Sequence, residues 1–167
     1  MAQPVVSIVM GSDSDLTVMK EAGAVLEEFG VAHEFVVSSA HRAPEKTAAH
    51  AKGLLARGIR VVIAAAGYSA HLAGVMAAYT TLPVIGVPLA ASPLAGMDAL
   101  LAMGQMPAGV PVATMTIGVT GARNAALYAV AILALQDGGL AKRLQAYRRK
   151  LAAAVDAKDR AVRGGPK

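Results

Sequence analysis

Five short runs rich in Val and Ile alternate with helix-like runs, and no other feature restricts the fold of this chain as much. Val5–Met10, Glu34–Val37, Val61–Ala66, Val84–Val87 and Val112–Ile117 are mostly apolar along their length. A strand wetted on one face alternates apolar and polar residues, whereas a strand covered on both faces of a parallel sheet need not. Between these runs, Asp15–Phe29 carries Met19, Ala22, Leu26 and Phe29 on one stripe, and Gly30 follows as a stop. Pro44 suits a first helical turn, so a second helix is expected over Pro44–Arg57, ended by Gly58. Ala70–Ala78 and Gly96–Met103 read as short helices, Ala122–Leu135 as a buried one and Gly139–Lys158 as the last. Strict alternation with right-handed crossovers predicts an α/β fold. It is a three-layer αβα sandwich around a parallel five-stranded sheet of the flavodoxin or Rossmann type, with an extra C-terminal helix. One domain is expected over residues 1–158, then a basic, disordered tail over 159–167.

Composition says how that core is filled and which partners it does not suit. Of 167 residues 55% are hydrophobic, yet only six are aromatic, none is Trp, and 37 are Ala. Small side chains bring backbones close, and so much apolar surface on a small chain points to burial between subunits. With no Cys, a disulfide scaffold, a zinc–thiolate site and a thiol nucleophile are excluded. The net charge of +5 is unevenly placed: residues 142–167 hold nine Lys/Arg against two Asp/Glu, and residues 1–141 hold seven against nine. The basicity therefore belongs to the last helix and tail, where it reads as a solvated face, and no aromatic–basic interleaving marks a nucleic-acid groove. No apolar run reaches the roughly 18 to 20 residues needed to span a bilayer. The first strand begins at Val5 without a preceding basic region or cleavage site. These features predict a cytoplasmic homo-oligomer with neither nucleic acid nor membrane as partner.

In open parallel sheets ligands bind beyond the carboxyl ends of the strands, so the loops there carry the chemistry. After the first strand comes Gly11-Ser12-Asp13-Ser14-Asp15. Its hydroxyls precede a helix N-terminus, whose free N–H groups favour an anion, and Asp15 can accept from sugar hydroxyls. The same spacing, Ser12-x-x-Asp15, fits a plain capping box, and the loop alone supports both readings equally. It is neither a dinucleotide fingerprint nor a P-loop. After the second strand, Ser39-Ala40-His41-Arg42-Ala43-Pro44 sets a potential proton carrier beside a phosphate-binding fork. After the third, Gly67-Tyr68-Ser69-Ala70-His71-Leu72-Ala73-Gly74 places a second His at a helix start. His33 and His50 read as structural or solvent-facing. The Pro88–Gly96 stretch after the fourth strand could close over the sheet edge as a lid. No metal-ligand spacing and no GxSxG elbow occur. The residues thus give an anion-binding pocket with a His acid/base candidate and no cofactor or metal motif.

Taken in order, Met10-Gly11-Ser12-Asp13-Ser14-Asp15, Ser39-Ala40-His41-Arg42-Ala43-Pro44, Ala70-His71-Leu72-Ala73-Gly74, Gln105-Met106-Pro107 and Asn124-Ala125-Ala126-Leu127 resemble one family. The chain is similar, over about Val5 to Leu144, to the PurE family of bacterial purine (IMP) biosynthesis, and within it to the class I 5-(carboxyamino)imidazole ribonucleotide mutases. That resemblance implies a cofactor-free shift of a carboxyl group from the exocyclic nitrogen to carbon 4, giving 4-carboxy-5-aminoimidazole ribonucleotide. His41 matches the catalytic histidine, protonating nitrogen as CO2 leaves and taking the proton from carbon 4 afterwards. Ser12 and Arg42 match phosphate-binding positions and Asp15 a ribose-binding one. Ser14, Ser39 and His71 match the remaining lining, and Gly67 belongs with them. The family also implies a homo-octamer in which neighbouring subunits complete each site.

Two other readings stand beside this one. A direct, CO2-dependent aminoimidazole ribonucleotide carboxylase typically has Lys after the catalytic His and lacks the second His, so Arg42 and His71 side with the mutase. An inactive flavodoxin-like scaffold would not need His41, Arg42, Ser12 and Asp15 together. The third loop departs from the common form Gly-Gly-Ala-Ala-His-Leu-Pro-Gly at Tyr68, Ser69 and Ala73. The phenol of Tyr68 either alters substrate fit or turns away into a subunit contact, and the second is the expectation.

Overall fold

The computed structural model describes residues 3–164. Strands β1 (Val6–Met10), β2 (His33–Val37), β3 (Val61–Ala66), β4 (Val84–Pro88) and β5 (Ala113–Thr114) form one sheet in the order β2-β1-β3-β4-β5. Every pairing is parallel, with Val6 opposite both His33 and Val61, Val62 opposite Val84 and Ile85 opposite Ala113. This is the flavodoxin-like order, whose direction of winding reverses between β1 and β3. The helices are α1 (Leu16–Glu28), α2 (Pro44–Gly53), α3 (Leu72–Tyr79), α4 (Met97–Gly104), α5 (Val119–Ala134) and α6 (Gly138–Arg163).

The near-continuous apolar strands resolve into two faces with a period of two. Val6, Ile8 and Met10 join Val61, Ile63 and Ala65 in a core closed by α1, α5 and the start of α6. Val9, Val62, Ala64 and Ala66 turn the other way, into a core closed by α2, α3 and α4. On α5 the buried residues Ala122, Ala125, Ala126 and Ala129 recur at i, i+3, i+4 and i+7, a stripe of small side chains that lets α1 lie close.

Four elements depart from expectation in ways that have a local reason. Strand β2 is an edge strand, so Phe35 and Val37 are half-exposed instead of covered on both sides. Strand β5 keeps only two residues of the expected Val112–Ile117. Pro111 lacks a donor, and the chain beyond Thr114 stays attached to β4 through single bonds from the Met115 N–H to the Gly86 carbonyl (2.8 Å) and from the Gly118 N–H to the Pro88 carbonyl (2.9 Å). Helix α2 stops at Gly53, and turns carry the chain to Gly58, whose φ of +81° supplies the reversal. Helix α5 starts at Val119, three residues before the expected Ala122, because Gly118 (φ +75°) makes the turn into it.

The largest difference is at the C-terminus. Helix α6 continues to Arg163, so residues 159–163 are helical and not a disordered tail; residues 165–167 of that tail lie outside the described residues. Ala152, Ala153 and Ala154 have high helix propensity, Arg163 pairs with Asp159 one turn back at 3.0 Å, and Arg160 and Arg163 complement the helix dipole at its negative end. Among the described residues no helix is long and apolar enough to cross a membrane.

Candidate active site

A cavity of about 480 Å³ opens at the carboxyl ends of β1, β2 and β3, at the point where the sheet reverses its winding. Ser12, Ser14 and Asp15 from the loop after β1, Ser39, His41 and Arg42 from the loop after β2, and Gly67 and His71 from the loop after β3 all line it. The three loops read separately in the sequence therefore meet in one place.

The loop after β1 caps a 3-10 turn, Asp13–Asp15, that runs directly into α1. The Ser12 N–H donates to Asp15 Oδ2 (3.1 Å), and the Ser14 N–H donates to Ser12 Oγ (3.4 Å). Capping and cavity lining are thus properties of the same residues: the box fixes the loop, and the fixed loop presents its hydroxyls and N–H groups to the cavity. Arg42 ties the second loop to the first. Its Nη2 donates to the Gly11 carbonyl (3.1 Å) and its Nε to Ser39 Oγ (3.4 Å), while Ser39 Oγ also accepts from the Arg42 backbone N–H (3.2 Å). A guanidinium has five donors in a rigid fork, so this anchoring leaves other donors available for an anion.

His41 Nε2 stands 2.8 Å from His71 Nδ1, with the rings edge to face at 4.9 Å between centroids. One imidazole donates in that bond and the other accepts, so a single proton is held between two exposed rings from different loops. A proton can pass from this pair to a bound molecule and return to it. Asp15 is the one carboxylate of the lining. Burial raises its pKa above the usual 3.8, against the lowering effect of the Ser12 N–H and the Ser14 hydroxyl.

That shift has a measurable consequence. A carboxyl whose folded pKa lies above its unfolded value binds more protons folded than unfolded between the two values, so its ionisation weakens folding above that window. Asp15→Asn keeps an acceptor for the Ser12 N–H and removes the desolvated charge. It is expected to melt above the native protein near neutral pH, with the gap closing as the pH falls toward 3.8, while losing affinity for a sugar-bearing ligand. A variant that melts below the native protein at neutral pH would show that the charge supports the fold.

Tyr68 also lines the cavity, with 61% of it exposed, and the remaining expected residues fall elsewhere. Met106 of the Gln105-Met106-Pro107 motif packs against α3, where a Cβ on Gly74 would come within 3.1 Å of its Sδ. His33 bonds the Val31 carbonyl (3.2 Å) and lies edge-on to Phe35. His50 is half-buried against Ser7 Oγ (3.2 Å), which donates to Glu34 (2.9 Å), itself paired with Arg57; burial holds the His50 pKa below its usual value. Ser7 lies within β1, well back from its carboxyl end, so this cluster is structural. The reading of single loops missed Ala91, the part of the loop after β4 that reaches the cavity wall. The signal was Gly67: a Cβ there would stand 2.5 Å from the Ala91 Cβ. Among the described residues no three His, Cys, Asp or Glu side chains are grouped to hold a metal ion.

Known proteins are similar to this chain over most of its length. Residues 5–154 match the family described as AIR carboxylase. An N5-carboxyaminoimidazole ribonucleotide mutase of Pyrococcus horikoshii is 49% identical over 93% of this chain and 87% of its own length. One of Mycobacterium tuberculosis is 51% identical over 94% of this chain and 89% of its own. The crystal structure of Treponema denticola PurE superposes with a TM-score of 0.85 at 26% identity, covering 98% of this chain and 99% of that one. With the family matched over most of its length and relatives near half identity, the chain belongs to the AIR carboxylase, or PurE, family.

Proposed function

We infer that the chain is an N5-carboxyaminoimidazole ribonucleotide mutase of purine biosynthesis, converting 5-(carboxyamino)imidazole ribonucleotide to 4-carboxy-5-aminoimidazole ribonucleotide. The observation that carries this reading is the joining of three separate loops around the His41–His71 pair, in a chain half identical to proteins of that name.

The reaction is redox-neutral and moves one carboxyl group. The carbamate C–N bond breaks, its electron pair stays on nitrogen, and His41 delivers a proton there as CO2 departs. Carbon 4 of the ring then bonds to CO2, and the proton it loses returns to His41. Protons and carboxyl balance over the cycle, so one histidine serves as acid and then base. His71 holds the imidazole of His41 and is a positioning residue in this scheme. Ser12 and Arg42 take the phosphate, Asp15 the ribose hydroxyls, and Ser14, Ser39 and Gly67 complete the wall. CO2 must not diffuse away between the two halves, which favours a covered site.

The chain acts in the cytoplasm as a homo-octamer of single-domain subunits. Met97 and Leu101, one turn apart on α4 and 52% and 53% exposed, together with Leu94 in the loop before it at 64%, support burial of this apolar surface against another copy.

The deciding assay compares the carbamate substrate with aminoimidazole ribonucleotide plus bicarbonate, both without ATP. Faster use of the carbamate is expected. Preference for the unmodified ribonucleotide would assign direct carboxylation despite Arg42, and turnover of neither would leave a scaffold with an anion pocket.

A further inference from the structure

We propose that Tyr68 is a substrate-contacting residue that covers the open side of the cavity over the imidazole ring, and so helps set which ribonucleotides the chain accepts. The proposal deepens the reading above and rests on it. Tyr68 lines the cavity, yet 61% of it is exposed, which puts it at the rim. Its φ is +54°, in the left-handed region that glycine occupies freely and an aromatic residue seldom does. Ala70, two residues on, has φ +21°, so the short link from β3 to α3 holds two such residues. Unfavourable backbone of this kind persists where surrounding structure enforces it, and it gathers at functional sites.

The ring does nothing evident for the fold. Among the described residues its hydroxyl has no hydrogen-bond partner, it pairs with no other aromatic ring, and it belongs to neither hydrophobic core. For the cavity it supplies what the rest of the wall lacks. The polar lining handles a phosphate, sugar hydroxyls and a proton, while the other apolar lining residues are alanines and Leu72. A flat heterocycle is best covered by another flat ring; the exposed rings of His41 and His71 are paired with each other, and Tyr68 is the lining residue whose ring is paired with no other. Coverage at that point also stands between released CO2 and solvent.

The test uses Tyr68→Gly, which suits the backbone and removes the ring, and Tyr68→Phe, which keeps the ring and removes the hydroxyl. For each variant and the native chain one measures melting temperature, mass in solution, kcat and KM for the carbamate. The dissociation constant for aminoimidazole ribonucleotide and the share of turnovers ending in that ribonucleotide plus free CO2 complete the set. Tyr68→Phe should stay within about twofold of native throughout. Tyr68→Gly should raise KM and the dissociation constant about five- to tenfold, the upper part of the range expected for losing one stacked aromatic contact, and release more free CO2 at unchanged mass. Native values for Tyr68→Gly would overturn the proposal while leaving the mutase reading intact. A weakened Tyr68→Gly with a smaller assembly would also overturn it, because the ring would then be a subunit contact. A native chain that neither binds nor turns over these ribonucleotides would defeat the mutase reading itself, and the Tyr68 proposal with it.

Discussion

His41→Asn is expected to lower turnover of the carbamate about 10²- to 10⁴-fold, the range spanned by a lost general acid–base group, with little change in melting temperature or assembly. The size of the loss follows from the chemistry the cavity must supply. Nitrogen has to be protonated as the carbamate breaks, and carbon 4 has to lose its proton, yet the ionisable lining is limited to Asp15, His41, Arg42, Tyr68 and His71. Arg42 is held by Gly11 and Ser39 and does not exchange its proton. Asp15 is engaged by the Ser12 N–H and the Ser14 hydroxyl. That leaves Tyr68 and the two histidines, and of these side chains imidazole is the type suited to give and take a proton near neutrality; Asn at position 41 keeps a hydrogen-bonding group for His71 but carries no exchangeable proton of the kind required. Because His41 is exposed, its replacement removes no buried contact, and the fold should not notice. Single-turnover kinetics separate the step from binding: KM and substrate affinity should move far less than kcat. A rate within a few fold of native would take His41 out of the chemistry and pass its role to His71, 2.8 Å away.

Much of this site can be read in the sequence because the fold class specifies where to look. Once βα alternation is seen, Gly11–Asp15, Ser39–Arg42 and Gly67–His71 are identified as the loops at one sheet edge, and the structure brings them to one cavity. Strands with continuous apolar runs, such as Val61–Ala66, were legible because burial on both faces leaves no alternative. The illegible parts depend on geometry between distant segments. Nothing local says that the rings of His41 and His71 share a hydrogen bond, since that depends on the β1–β3 register and on both loops. The left-handed backbone at Tyr68 is not suggested by its residue type, which seldom adopts it. The shortness of β5 depends on the path after Thr114 more than on the propensity of Val112–Ile117. The length of α6 was underestimated because its last turns bury nothing, and alanine content and end charges, not an apolar stripe, sustain them.

The largest expected loss of stability comes from a residue outside the cavity. Gly121→Ala adds one methyl group to the first turn of α5, and that carbon would fall 1.7 Å from the Thr116 carbonyl oxygen and 2.8 Å from its carbon. Neither side can yield cheaply. Thr116 lies between Met115 and Gly118, both hydrogen-bonded to β4, and the Ala122 N–H of α5 bonds back to the Gly118 carbonyl at 3.0 Å. Relief requires moving α5 off the sheet or pulling the 115–118 segment from β4, at a cost of about 3 to 5 kcal/mol. For a chain of this length that corresponds to a fall in melting temperature of roughly 10 to 15 °C. Gly104→Ala provides the contrast: a Cβ there meets nothing within 4 Å, and the change should be neutral or slightly stabilising. The 115–118 segment also leads to the site, because a Cβ on Gly96 would lie 2.7 Å from Ile117 Cγ2, and Gly96 ends the loop that carries Ala91 to the cavity wall. Whatever Gly121→Ala protein folds should therefore show a raised KM, while Gly104→Ala keeps a native one. A Gly121→Ala protein with native melting and KM would mean that α5 can shift freely over the sheet, contrary to the close alanine packing that holds it against α1.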